Sequence, residues 1–230
     1  MTSTEFSSFL DGISKYPLPV LDASIPFKGY IPLDLSVSNP DLLGIDFSDS
    51  TVLERYVNTH LTVNDALVGY GGYLETRNIY QRSAYFNKED AATERNIHLG
   101  MDLWLGAGAP ISAPLDGVVH SFAYNQNFGD YGPTIILKHS LNDVVFYTLY
   151  GHLSLSSIEN LREGHRFKQG EQIATLGDAS VNGDYPPHLH FQIIRDLGDW
   201  VGDYPGVCSK NDFEFYVANC PDPNLLLKLG

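Results

Sequence analysis

The stretch His188-Leu189-His190-Phe191-Gln192-Ile193-Ile194 reads as a β-strand with its chemistry on one face. In extended backbone, successive side chains leave opposite faces, so His188 and His190 point together while Leu189 turns to the other side. Two imidazoles on one face can serve a single metal site. Working outward, four more runs share this short, apolar or alternating character: Gly117–Tyr124, Thr134–His139, Val144–Tyr150 and Gln172–Leu176. Gly, Pro, Asn and Asp separate them, with no long helical pattern between. That predicts a mainly β domain built on an antiparallel sheet.

Upstream of residue 95 the pattern changes. Phe6, Phe9, Leu10 and Ile13 fall at i, i+3, i+4 and i+7, which predicts an amphipathic helix over 4–14, capped by Ser3 or Thr4. Residues 16–48 are rich in proline and lack periodicity, so an ordered but irregular arm is expected there. A second helix is predicted near 51–60, with Thr51-x-x-Glu54 as a capping box and Leu53, Tyr56 and Val57 as its apolar stripe. The chain thus divides into an N-terminal arm, 1–94, whose two short helices pack on the core, and a domain at 95–230. The tail from Asp212 to Leu229 opens with a short strand or helix and continues as a capping extension.

Charge and composition exclude several functions. The net charge of −14 opposes binding to nucleic acid or anionic lipid. No apolar run reaches the roughly 18–20 residues of a membrane span, so no membrane insertion is expected. Met1-Thr2-Ser3-Thr4-Glu5-Phe6 has neither a basic n-region nor an apolar h-region, which predicts a cytoplasmic setting. A periplasmic or secreted location is the alternative if another export route operates. Cys208 and Cys220 lack metal-type spacing and are expected to be reduced structural thiols.

Three short segments supply a metal site. His98 and Asp102 have H-x-x-x-D spacing, His152 ends the apolar run Val144–Gly151, and the His188/His190 pair follows. A catalytic zinc takes three protein ligands and keeps a fourth position for water. His98, Asp102 and His190 offer two imidazoles and one carboxylate, a mixture that suits one Zn²⁺ per chain. His152 and His188 are then free to move protons or steady an oxyanion.

The ordered set of motifs resembles a known family. Asn96-Ile97-His98-Leu99-Gly100-Met101-Asp102, Tyr150-Gly151-His152-Leu153-Ser154 and His188-Leu189-His190-Phe191 are similar to the three motifs of the M23, lysostaphin/LytM-type, zinc metallopeptidases. Ala113-Pro114-Leu115-Asp116-Gly117-Val118-Val119 and Gly164-His165-Arg166-Phe167-Lys168-Gln169-Gly170 resemble segments lying between them. The resemblance spans about residues 95–195. It implies a LytM-like antiparallel sheet domain with zinc in a groove, cutting peptide bonds in peptidoglycan cross-bridges or stems. It also implies His98, Asp102 and His190 as ligands and His152 and His188 as the catalytic pair.

Val68–Tyr80 has no place in the generic motifs. With the Pro221-Asp222-Pro223-Asn224 tail it is similar to M23-like domains within large cytosolic proteins, between phosphotransferase-like and aminotransferase-like domains. Gly71-Gly72 reads as a turn needing positive φ or close backbone approach. Tyr73, Arg77 and Tyr131 are candidate substrate contacts, Arg77 as a carboxylate clamp or as a partner of Glu75 or another acid. His60, His120, His139 and His165 read as structural or solvated. The function expected is a zinc peptidase acting on a peptide or peptidoglycan fragment. The alternatives are a cytosolic metallohydrolase on a small non-murein substrate and a metal-binding regulator without turnover.

Overall fold

Alternation and turn residues set the strands of the computed structural model, which describes residues 1–46, 49–83 and 92–230. The remainder of the arm, 47–48 and 84–91, lies outside the described residues. The arm supplies β1 (Tyr30–Pro32) and β2 (Val68–Gly71). The strands that follow are β3 (Ile97–His98), β4 (Met101–Trp104), β5 (Pro110–Ser112), β6 (Gly117–Asn125), β7 (Gly132–Leu141), β8 (Val144–Gly151), β9 (Arg166–Phe167), β10 (Gln172–Thr175), β11 (His188–Ile194) and β12 (Val207–Cys208). Among the described residues, eight strands form one sheet in the order β1-β2-β4-β11-β8-β7-β6-β9. Every pairing in it is antiparallel except that of β1 with β2. The mainly β, antiparallel expectation therefore holds. β11 keeps its predicted bounds, and the other four predicted strands shift by one or two residues at their ends.

The arm departs from its reading as irregular by adding β1 and β2 to the sheet. β1 is too short to show alternation, and Pro32 is tolerated because β1 is the edge. Gly69 and Gly71 break the apolar pattern of β2. Both arm helices form, as α1 (Ser3–Ile13) and α2 (Ser50–Val63), but with other caps than predicted. Thr2, not Ser3 or Thr4, caps α1, because only Thr2 has Glu5 three residues on to close a reciprocal box. Asp49, not Thr51, caps α2, accepting from the Thr51 N–H at 2.8 Å. A carboxylate there also meets the positive end of the helix dipole. After α3 (Ser156–Glu159), the tail forms α4 (Phe213–Asn219) and α5 (Asn224–Leu227). α5 lies against α1, and the Lys228 ammonium reaches the Asp11 carboxylate. No helix among the described residues is long and apolar enough to cross a membrane.

The two faces of the sheet have different work. Leu189, Phe191 and Ile193 of β11 join Ile135, Leu137, Phe146 and Tyr150 in the main core, which Phe6 and Leu10 of α1 cover. His188, His190 and Gln192 leave the opposite face, as period-two alternation requires. A second apolar cluster on the arm side gathers Leu33, Leu35, Leu53, Val57, Ile79 and Tyr80 around Trp104.

His139 is a core histidine. Its Nδ1–H donates to the Asp116 carbonyl at 2.9 Å, and its Nε2 lies within hydrogen-bond distance of Thr148 Oγ1, at 2.7 Å. Burial pushes its pKa down to about 4. Since the folded value lies below the unfolded one, its contribution is whole above pH 6.5 and is lost as pH falls towards 4. A shift of that size is worth about 3 kcal/mol. Thermal melts between pH 7 and 4.5 should therefore fall more steeply for wild type than for His139→Asn. Parallel slopes would refute this account.

Candidate active site

Sheet register assembles the site. His190 on β11 lies opposite Asp102 on β4 and Gly151 on β8, and His188 lies opposite Trp104. Cross-strand neighbours on one face sit about 5 Å apart, so this register puts Asp102, His188 and His190 together. At Gly151 a Cβ would come within 2.6 Å of the Tyr131 ring, so glycine there lets Tyr131 pack beside His190. His98 comes from β3. His152 follows β8 with φ 64°, a left-handed turn that swings its ring back over the sheet. The ring centres of His152 and His188 are 4.2 Å apart, and His188 stacks on Trp104 at 4.0 Å.

Hydrogen bonds on the outer side of each ring fix its tautomer. His98 Nδ1–H donates to Gly72 O at 2.9 Å, and His190 Nε2–H donates to Gln192 Oε1 at 2.9 Å. His152 Nδ1–H donates to Asn182 O and His188 Nδ1–H to Pro186 O, both at 2.8 Å. Each ring thus turns one N–H outward and its second nitrogen inward. His98 Nε2 and His190 Nδ1 face each other at 2.8 Å, and both lie 3.3 Å from Asp102 Oδ1. That oxygen is buried without a hydrogen-bond partner.

Three facing electron pairs with no proton between them call for a cation. Among the described residues, His98, Asp102 and His190 are the cluster that could hold a metal ion. Burial pushes His98 and His188 down to about 4 and takes His152 well below its usual value, which keeps the rings neutral. Burial alone would raise the Asp102 carboxyl, but its interactions with the His98 ring and the Arg77 guanidinium overcome it and hold the group well below the carboxylate range.

The five histidine and aspartate positions predicted for the site are therefore brought together, each at most 5% exposed. The candidate substrate contacts diverge. Tyr131 lines the cleft beside the site, its hydroxyl 3.3 Å from His190 Nε2. Arg77 is buried and binds Glu75 and Asp102. Tyr73 turns away, donating to the Cys220 carbonyl at 2.8 Å. Gln192 and Trp104 escaped the sequence reading, although strand parity held the signal: each lies two residues beyond a site residue, His190 and Asp102. Leu35, Ile79 and Tyr80 of the arm line the cleft together with Trp200 and Tyr204. His139 lies outside it.

Residues 96–201 match the profile of peptidase family M23. The match covers a little under half of the chain. The chain is 35% identical over 95 residues to an uncharacterized metalloprotease of Haemophilus influenzae, covering 41% of this chain and 18% of the relative. It is 27% identical over 129 residues to an L-Ala--D-Glu endopeptidase of Bacillus subtilis, covering 53% of this chain and 37% of the relative. The alignments thus span well under half the length of both relatives. Among solved structures, the catalytic domain of lysostaphin from Staphylococcus simulans shares 26% identity over 53% of this chain and 80% of that one, with a TM-score of 0.37. A zinc-containing peptidase from Vibrio cholerae shares 27% identity over 47% of this chain and 30% of its own, with a TM-score of 0.35.

Proposed function

We propose that the chain is a zinc-dependent peptidase that hydrolyses amide bonds in peptides of the peptidoglycan type. The observation that carries this reading is the buried convergence of His98 Nε2, His190 Nδ1 and Asp102 Oδ1, with His152 and His188 beside it. Two imidazoles and a carboxylate are a donor set that suits zinc. When bound, such an ion supplies Lewis acidity and a water nucleophile at neutral pH.

The chain's own residues supply the rest. His152 and His188 are held neutral, each with Nε2 free, so one can accept the proton of the attacking water and pass it to the leaving amine. Their outward bonds to Asn182 O and Pro186 O fix the rings for that transfer. Tyr131, Tyr185 and Trp104 give the cleft aromatic walls, which lower the local dielectric and strengthen polar contacts inside. The relative named as an L-Ala--D-Glu endopeptidase supports a substrate with bonds of that kind.

A second reading concerns substrate size. Leu35, Ile79 and Tyr80 wall the cleft on the arm side, which favours a short soluble peptide over a cross-linked strand. Two reduced, buried thiols suit a cytoplasmic setting for that reading. A zinc-loaded digest of purified peptidoglycan, run beside its soluble fragments with His152→Ala as control, separates these outcomes by mass. Release of peptides from intact peptidoglycan supports the first reading, and cleavage of soluble fragments alone supports the second. Metal binding without turnover of either would overturn the peptidase assignment in favour of a regulator.

A further inference from the structure

Residues 72–77 lie outside the segment that matches the M23 profile, yet they hold two of the three candidate ligands from behind. Leu74 N–H donates to His98 O, and His98 N–H donates to Glu75 O, both at 2.9 Å. Arg77 N–H donates to Asn96 O at 2.9 Å, so the arm runs antiparallel beside β3. Gly72 O accepts the His98 Nδ1 proton. The contact is so close that a Cβ on Gly72, at φ 105°, would lie 2.1 Å from Arg77 Nη2 and 2.9 Å from His98 Nδ1. Only glycine fits between the ring and the guanidinium.

Arg77 completes the arrangement. Its Nη1 donates to Asp102 Oδ2 at 2.5 Å and its Nε to Glu75 Oε2 at 2.8 Å, with the side chain 3% exposed. Asp102 therefore has one oxygen committed to the arm and the other, Oδ1, facing the two imidazole lone pairs. We infer that Arg77 is a positioning residue of the metal centre. It holds Asp102 to a single ligating oxygen and orients that oxygen towards His98 and His190. The arm is then part of the metal site rather than a cover over it.

Glu75 is the anchor that keeps the guanidinium from turning. A planar fork can span two carboxylates at fixed angles, which a lysine ammonium cannot do. Groups that orient ligating residues typically change metal affinity by about 10–100-fold when removed. This inference rests on His98, Asp102 and His190 being the metal site.

The test uses Co²⁺ as the probe on the full chain, reading affinity by chelator competition and coordination by the visible d–d bands. Arg77→Met is expected to bind Co²⁺ about 10–100-fold more weakly. Its d–d bands should also lose intensity, as a released Asp102 ligates through both oxygens and raises the coordination number. Arg77→Lys should fall between the two. Wild-type affinity and spectrum in Arg77→Met would overturn the inference. If Arg77→Met does not fold, the same pair of measurements on Arg77→Lys decides it, with unchanged values overturning it. Failure of wild type to bind Co²⁺ would overturn the metal-site reading as well, and so is distinguishable from an indifferent Arg77.

Discussion

His152→Ala should bind its metal ion with wild-type affinity and lose about 10²–10⁴ in kcat, the range for removal of a general acid–base group. The two halves of this expectation have separate causes. Metal is retained because His152 is not among the three groups whose donor atoms converge, and its ring centre stands 6.4 Å from that of His190. Rate is lost because, of the proposed histidine pair, His188 alone remains, and its ring lies against Trp104 rather than over the turn. The backbone at residue 152 is left-handed, so His152→Asn, which tolerates that region better than most residues, serves as the fold control. Chelator competition and turnover of the substrate identified by the peptidoglycan digest are the measurements. An active His152→Ala enzyme, or one that has shed its metal, would reverse the assignment of roles.

Asp102→Ala should strongly destabilise the metal-free chain. It removes a candidate metal ligand and also leaves the Arg77 guanidinium buried beside an empty partner position. Both side chains of the pair are at most 3% exposed. Breaking a buried pair from one side costs about 3–5 kcal/mol, because the surviving charge has no water to turn to. Glu75 still accepts from Arg77 Nε, which places the loss towards the lower end. For a chain of this length each kcal/mol lowers Tm by about 2–4 °C, so calorimetry of the metal-free variant should show a fall of about 6–20 °C. The comparison that decides it is Lys168→Ala. Lys168 and Asp116 are as close, at 2.7 Å, but 80% and 63% exposed, so water and salt screen them and little stability is at stake. Equal melting shifts in the two variants would show that burial does not set the strength of the Arg77–Asp102 pair.

The legible parts of the site were those whose geometry is local. Period-two alternation put His188 and His190 on one face, and the strand bounds at 188–194 were correct because apolar residues continue without a breaker. Gln192 followed from the same alternation, yet a glutamine in an apolar run gives no sign of which histidine it will orient. Arg77 was read with two roles, a clamp on substrate or a partner of an acid, and spacing could not choose between them. Its nearest acid in sequence is Glu75, two residues away, whereas Asp102 is 25 residues away and is reached because residues 74–77 pair beside β3. The caps of α1 and α2 were misread by one or two residues for a related reason. Several hydroxyls and carboxylates compete at a helix start, and only the folded turn shows which one reaches the free N–H groups.

The sequence by itself determined the kind of chemistry and the kind of fold. Its ordered histidine and aspartate motifs name the candidate ligands, and its short alternating runs name an antiparallel sheet. Tertiary structure alone decided that the arm belongs to the site. β1 and β2 are too short, and too rich in proline or glycine, to announce themselves as strands. They form because the open edge of β4 offers unpaired backbone groups for β2 to satisfy, and β2 then offers its own to β1. Once that edge is paired, the turn at Gly72 carries Arg77 to Asp102. A hydrogen-bonding requirement of the sheet, which no single segment displays, thus completes the outer wall of the candidate metal site.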